Sequence, residues 1–396
     1  MHAGAYLIRL LEDQGVARIF TVPDESFLAA LDGLHGSRTI ETIICRQDAG
    51  AAMSAAATGR LTGRPGVALV AGGGGASCAA VGVHVARRDG APMVLLVGLA
   101  SPNVGDQPVI EPDAPTAAVG AMAKSFHILR SRSGLANLVA YAFHEALSGM
   151  PGPVVIGLPS DLLAGPAPDV APNTADRGAP ARAPAMAART GLSEDVAFEI
   201  ATRLAQAERP FIVIGGGGWS SRAAHRLQAF AELLNVPVAT APRRQDFIDN
   251  RSAVYAGHVG TGAPAGLVSA LRDSDALLVI GAQASELAAA GILPINGRAD
   301  GPALLQITAT LGDAATSAQP VIQALCANQE AVDQLFLASQ DLVAEAPALA
   351  DPAHRVDRLR ELHNAQVTAR QPEPGPGTVQ LGEVIRTVAD TAPDAI

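Results

Sequence analysis

Short apolar runs alternate with longer, helix-patterned segments along most of the chain, and this alternation limits the fold more than any other feature. Residues 17–22, 41–45, 66–70, 92–98 and 153–158 are runs of the buried-strand kind. Between them lie helical segments at 5–14, 26–34, 48–61, 76–87 and 135–148. A run that is apolar at nearly every position suits a strand covered on both faces, and a helix between successive strands makes the sheet parallel. The pattern resumes with a helix at 193–207, a strand at 210–214, a helix at 221–234 and a strand at 236–240. A helix at 267–272, strands at 276–280 and 303–307 and a helix near 329–336 complete it. The fold class is α/β, as two doubly wound parallel-sheet domains.

The first domain spans 1–163 and the second 191–340, joined by a Pro- and Ala-rich linker at 164–190. Residues 341–396 read as a polar linker followed by one more helix at 379–389. The balance of 28 Lys plus Arg against 38 Asp plus Glu gives −10 and argues against a nucleic-acid binder, which needs a basic face. Cys45, Cys78 and Cys326 are far apart and odd in number, with no CxxC, so neither a disulfide framework nor a zinc site is expected. No apolar stretch reaches the roughly 18 residues of a membrane span. A cytosolic protein is expected.

Two glycine clusters follow strands and precede helices: Gly72 to Gly75, and Gly215, Gly216, Gly217 and Gly218. Each suits either a tight strand-to-helix turn or backbone amides that hold an anion. Neither is a P-loop, which needs GKS or GKT. Asp48, at the start of a helix after a strand, is either an N-cap or a ligand-facing carboxylate. Arg88 closes a helix beside His84, and its charge there needs no function. The cluster Arg243-Arg244-Gln245-Asp246 salt-bridges locally or lines a cleft between the domains.

The order of these motifs resembles the thiamine diphosphate (ThDP) enzymes related to acetolactate synthase. Val22-Pro23-Asp24-Glu25-Ser26 is similar to the family's VPGES turn, and the run from Cys45 to Ala55 to its CRQEGGAAMMA junction. Thr62 to Val67 is similar to TGRPGV, Gly73-Gly74-Gly75-Ala76-Ser77-Cys78 to GPGATN, and Gly82 to Pro92 to GVHTAFQDSTP. Residues around Lys124, 151–159, 209–219 and 243–246 also fit.

The resemblance implies decarboxylation of a small 2-keto acid and transfer of the resulting carbanion, with ThDP as cofactor and Mg²⁺ holding its diphosphate. It places the catalytic carboxylate at Asp48, where the family has Glu. It puts Pro23, Asp24, Gly73, Gly74, Gly75 and Cys78 around the cofactor ring and Arg88 and Lys124 near the substrate. Gly215, Gly216, Gly217 and Arg243 become a nucleotide site, with FAD possible there. The family's diphosphate domain carries GDG and a later Asn. Gly105-Asp106-Gln107 and Gly312-Asp313-Ala314 are not GDG. The expectation is therefore a split enzyme: a large subunit, in a homodimer or heterotetramer core, with Mg²⁺ held by a separate subunit. The alternatives are a non-catalytic regulatory or scaffold subunit and a nucleotide-binding oxidoreductase.

Overall fold

A computed structural model describes residues 1–100, 113–168, 191–260, 262–292, 302–309, 320–347, 353–367, 379 and 381–392. Residues 105–107, 312–314 and most of the expected linker lie outside the described residues. The first unit runs α1 (Ala3–Asp13), β1 (Arg18–Thr21), α2 (Leu28–Gly36), β2 (Glu41–Ile44), α3 (Asp48–Thr62), β3 (Gly66–Ala71), α4 (Gly74–Asp89) and β4 (Met93–Leu99). It continues with α5 (Ala114–Met122), β5 (Ser125–Ile128), α6 (Leu135–Leu147), β6 (Pro153–Pro159) and α7 (Ser160–Ala164). Its six strands are all parallel in the order β2-β1-β3-β4-β6-β5.

Both faces of this sheet are covered, as uninterrupted apolar strands require. Val94 and Leu96 of β4 pack with Leu7, Leu11, Phe143 and the rest of the α1, α2 and α6 side. Met93, Leu95 and Val97 pack on the other side with Ala52, Ala55, Ala79 and Val83 of α3 and α4. The small residues bring α3 and α4 close: a Cβ on Gly82 would lie 2.5 Å from the Ala52 Cβ. The expected helix at 76–87 and strand at 66–70 are present and slightly longer. Helix α5 and edge strand β5 were not expected from the sequence.

The second unit runs α8 (Glu194–Gln206), β7 (Pro210–Ile214), α9 (Ser221–Leu234), β8 (Val238–Thr240), β9 (Tyr255–His258), α10 (Ala265–Arg272) and β10 (Ala276–Ile280). Then come α11 (Ala284–Ala289), β11 (Ala303–Thr308), β12 (Ile322–Leu325) and α12 (Asn328–Glu345). Its parallel sheet has the order β12-β11-β10-β7-β8-β9. Strand order reverses between β7 and β10, the place where ligands of open α/β sheets collect.

The described residues of the stretch expected to be a linker after residue 340 are largely helical. Helix α12 reaches Glu345, and α13 (Ala353–Val367) packs on β9. Arg355, 3% exposed, donates to the carbonyls of Leu234 at 3.2 Å, Ala205 at 2.8 Å and Ala207, which end α9 and α8. A guanidinium that satisfies open helix-end carbonyls lets a polar helix dock with few apolar anchors. The second unit therefore extends past its expected boundary. The final helix, α14 (Leu381–Thr391), lies two residues later than expected. No helix among the described residues is long and apolar enough to cross a membrane.

Candidate functional site

The carboxyl ends of β1, β2, β3 and β4 converge on one edge of the first sheet. After β1 the chain turns at Pro23, which is exposed, and Asp24 accepts the Ser26 N–H at 2.9 Å to start a short 3₁₀ turn at Glu25–Phe27. Asp24 is thereby committed to capping. After β2, Gln47 takes the cap position of α3 without a side-chain bond, and Asp48 is the first helical residue. Asp48 is therefore not an N-cap, although a carboxylate in a first turn is favoured by the helix dipole. Its Oδ1 is buried and has no hydrogen-bond partner among the described residues.

The glycine turn after β3 faces this oxygen. Gly73 has φ 57°, a backbone conformation that favours glycine. A Cβ on Gly75 would lie 3.0 Å from the Ala71 Cβ and 3.2 Å from Asp48 Oδ1. A side chain at Gly75 would crowd this unpartnered carboxylate oxygen. A further carboxylate, Asp113, caps α5 through Oδ1 to the Thr116 N–H at 2.8 Å, and its Oδ2 faces Gly72 and Gly73. Sequence reasoning missed Asp113, whose signal was an Asp two residues before Pro115 at a helix start.

Burial is the main cause that pushes the Asp48 carboxyl above its usual range, and the nearby Asp24 charge adds to it. The backbone amides of Asp48 itself and Ala71 pull it partly back. A carboxyl of this kind can hold a proton or pass it to a nitrogen placed over the glycines. Among the described residues no group of three or more His, Cys, Asp or Glu could hold a metal ion.

Of the other residues expected here, Gly73, Gly74 and Gly75 form the turn, and Cys78 is exposed one helical turn further along α4. Arg88 and Lys124 lie elsewhere. Helices between parallel strands run antiparallel to them, so the end of α4 comes out at the amino edge of the sheet. The fourteen-residue rise from Gly74 along α4 puts Arg88 about 21 Å from the Gly74 end. Arg88 points into the boundary with the second unit, 3.5 Å from Glu286. Lys124 donates to the carbonyls of Glu145 at 2.6 Å and Ser148, closing the end of α6. Burial lowers its pKa. The structure does not bring either residue to Asp48.

In the second unit, the Gly215–Gly218 turn is occupied by the protein itself. The Gly217 N–H donates to Met150 Sδ at 3.3 Å, and the Gly217 carbonyl accepts from Asn328 Nδ2 at 2.9 Å. Trp219 Nε1 donates to the Gly215 carbonyl at 2.8 Å. A Cβ on Gly217 would run into the Gly90 carbonyl of the first unit. Arg243, with φ 63°, reaches across to Asp89 at 2.9 Å. Asp89, 8% exposed, is also 3.2 Å from Arg60 and 3.6 Å from Arg244, which is 3% exposed. The turn and the arginine cluster thus join the two units.

Residues 1–111 match the thiamine pyrophosphate enzyme N-terminal TPP binding domain, and residues 198–335 match the thiamine pyrophosphate enzyme central domain. This chain belongs to the thiamine pyrophosphate enzymes. Thiamine pyrophosphate is ThDP by its older name, so Asp48 and the Gly72–Gly75 turn fall in the part of the chain matched to ThDP binding. The chain is 28% identical over 286 residues to an acetolactate synthase of Mycobacterium bovis, covering 69% of this chain and 44% of that protein. It is 26% identical over 290 residues to the acetolactate synthase isozyme 2 large subunit of Escherichia coli K12, covering 72% and 50%. With the isozyme 3 large subunit of the same organism the identity is 31% over 242 residues, covering 60% and 41%. The matched region spans half or less of the length of these relatives.

Proposed function

We propose that this chain supplies the pyrimidine-binding side of an acetolactate synthase-like 2-keto acid carboligase or decarboxylase, and that a separate subunit holds the diphosphate and Mg²⁺. The observation that carries this reading is the buried, unpartnered Asp48 Oδ1 facing a turn of glycines. An orphaned carboxylate oxygen costs stability unless something binds it. A protonated ring nitrogen of an aminopyrimidine offers the N–H donor that this oxygen lacks.

Bound ThDP supplies the electron sink that lets a 2-keto acid lose carbon dioxide. Asp48 would hold or move the proton at the ring nitrogen through Oδ1. Gly73, Gly74 and Gly75 would admit the ring, with Pro23 and Cys78 at its rim. Asp24 adds a small charge effect to the burial of Asp48 and orders the short turn at Glu25–Phe27. Asp48 is one methylene shorter than the family's Glu, a reach about 1.5 Å less. A misplacement near 1 Å at a reacting contact costs about 10²-fold. That shortfall is the observation behind a second reading, a non-catalytic subunit of such a complex. The nucleotide-binding oxidoreductase has no such support, because the Gly217 amide is taken by Met150.

Isolation of the chain with its bound partner, followed by assay of ThDP-dependent carbon dioxide release from pyruvate, separates the readings. The proposal expects turnover that needs both chains and falls in Asp48→Ala. Turnover by this chain alone would refute the two-subunit reading. Turnover untouched by Asp48→Ala would favour the non-catalytic subunit.

A further inference from the structure

The family resemblance suggests a flavin dinucleotide along the carboxyl edge of the second sheet, but the residues there do not fit one. Such a ligand would lie across the switch between β7 and β10, over the Gly215–Gly218 turn. That crest is closed. Gly90 of the first unit rests on Gly217, the Gly217 amide and carbonyl are both engaged, and the buried Asn328 fills the space beside Gly281. Two separate openings remain, one on each side of the crest.

The opening on the β8 side has a volume of about 650 Å³ and a basic lining. Arg87, Arg88, Arg243 and Arg244 line it, and Glu286 is the acidic residue among the lining groups. This is a positive cleft on a chain of net charge −10. Its cations are unequally committed. Arg243 and Arg244 face Asp89, and Arg88 reaches Glu286 only at 3.5 Å. Arg87 makes no ion pair among the described residues. Arg243, one of the lining residues, is held in a left-handed conformation, a strain of the kind that persists at binding sites. Met150, Pro242 and Val268 supply an apolar wall.

We propose that this interdomain cleft is a second ligand site, which takes a compact organic anion no larger than a mononucleotide and excludes a dinucleotide. Arg87 and Arg88 are its holding cations, and their forked guanidinium groups match a carboxylate or a phosphate. The site lies at the opposite end of α4 from Asp48, so a ligand here is neither the cofactor nor its substrate.

The test is thermal stability and calorimetric titration of the purified chain, without ThDP, at constant ionic strength. The probes are inorganic phosphate, pyruvate, AMP and FAD. At least one of the first three should bind saturably, and comparison of phosphate with pyruvate identifies the preferred head group. Arg87→Ala and Arg88→Ala should each weaken that binding about tenfold. Glu286→Gln, which removes the competing carboxylate, should tighten it. Arg9→Ala, at an exposed position of α1, should leave it unchanged. The proposal is overturned if all three anions bind more weakly than about 10 mM. It is equally overturned if Arg88→Ala binds like the parent, if Glu286→Gln weakens binding, or if FAD binds more tightly than AMP.

Discussion

Asp89→Ala removes the carboxylate on which the two units meet. That carboxylate is 8% exposed and sits 3.2, 2.9 and 3.6 Å from Arg60, Arg243 and Arg244. The two outer arginines are 28% and 46% exposed, and water replaces much of what they lose. Arg244 is different. It is 3% exposed, and burial already lowers its pKa despite Asp89. Breaking a buried ion pair from one side costs about 3–5 kcal/mol. Asp246 stays near Arg244 and keeps the loss toward the lower figure, about 3 kcal/mol. For a unit of this size each kcal/mol moves Tm by about 2–4 °C, so the drop should be about 6–12 °C. Differential scanning calorimetry should show it, together with a split into two transitions as the units uncouple. Asp246→Ala, at a side chain 58% exposed, should cost under about 1 kcal/mol. The double variant Asp89→Leu/Arg244→Met should recover much of the loss, because no unpaired charge remains buried. A drop below about 2 °C for Asp89→Ala, or a double variant no better than the single one, would refute this reasoning.

Three further outcomes follow from the same geometry. Asp48→Asn should be more stable than the parent at pH 7. The raised folded-state pKa makes the parent lose stability as pH rises from the ordinary carboxyl value of 3.8 through its own, so melts at several pH values should converge toward acid. Gly217→Ala should lower stability by about 1–3 kcal/mol in urea melts, because the new methyl meets the Gly90 backbone. Burial holds the Cys326 thiol at about 11. Iodoacetamide at pH 8 should therefore label exposed Cys78 and spare Cys326, as read by peptide mass spectrometry.

The central strands were legible because burial on both faces leaves an unbroken apolar signature, as in residues 93–99 and 153–159. Three of the four edge strands were not, whereas the edge strand at 41–44 was. Ser125-Phe-His-Ile128 is half-buried throughout, Ile322-Gln-Ala-Leu325 alternates, and Tyr255-Ala-Gly-His258 carries a glycine. Helix α13 was hidden because its docking rests on a buried arginine, a group that reads as surface in a sequence. The site divides in the same way. Asp48 and the Gly72–Gly75 turn directly follow strands, so their convergence on one edge follows from the parallel fold alone. Arg88 and Lys124 were grouped with them by family resemblance, whereas the antiparallel run of α4 against its sheet carries Arg88 to the opposite edge. The glycine turn of the second unit had two readings, and the Gly90, Met150 and Asn328 contacts favour a docking surface over a nucleotide cradle.

The most direct test of the central claim is the ThDP-dependent rate of carbon dioxide release from pyruvate by the complex, compared among the parent, Asp48→Ala and Asp48→Glu. Asp48→Ala should lose about 10²-fold or more, and Asp48→Glu should run at or above the rate of the parent. Equal rates for the parent and Asp48→Ala would contradict that claim.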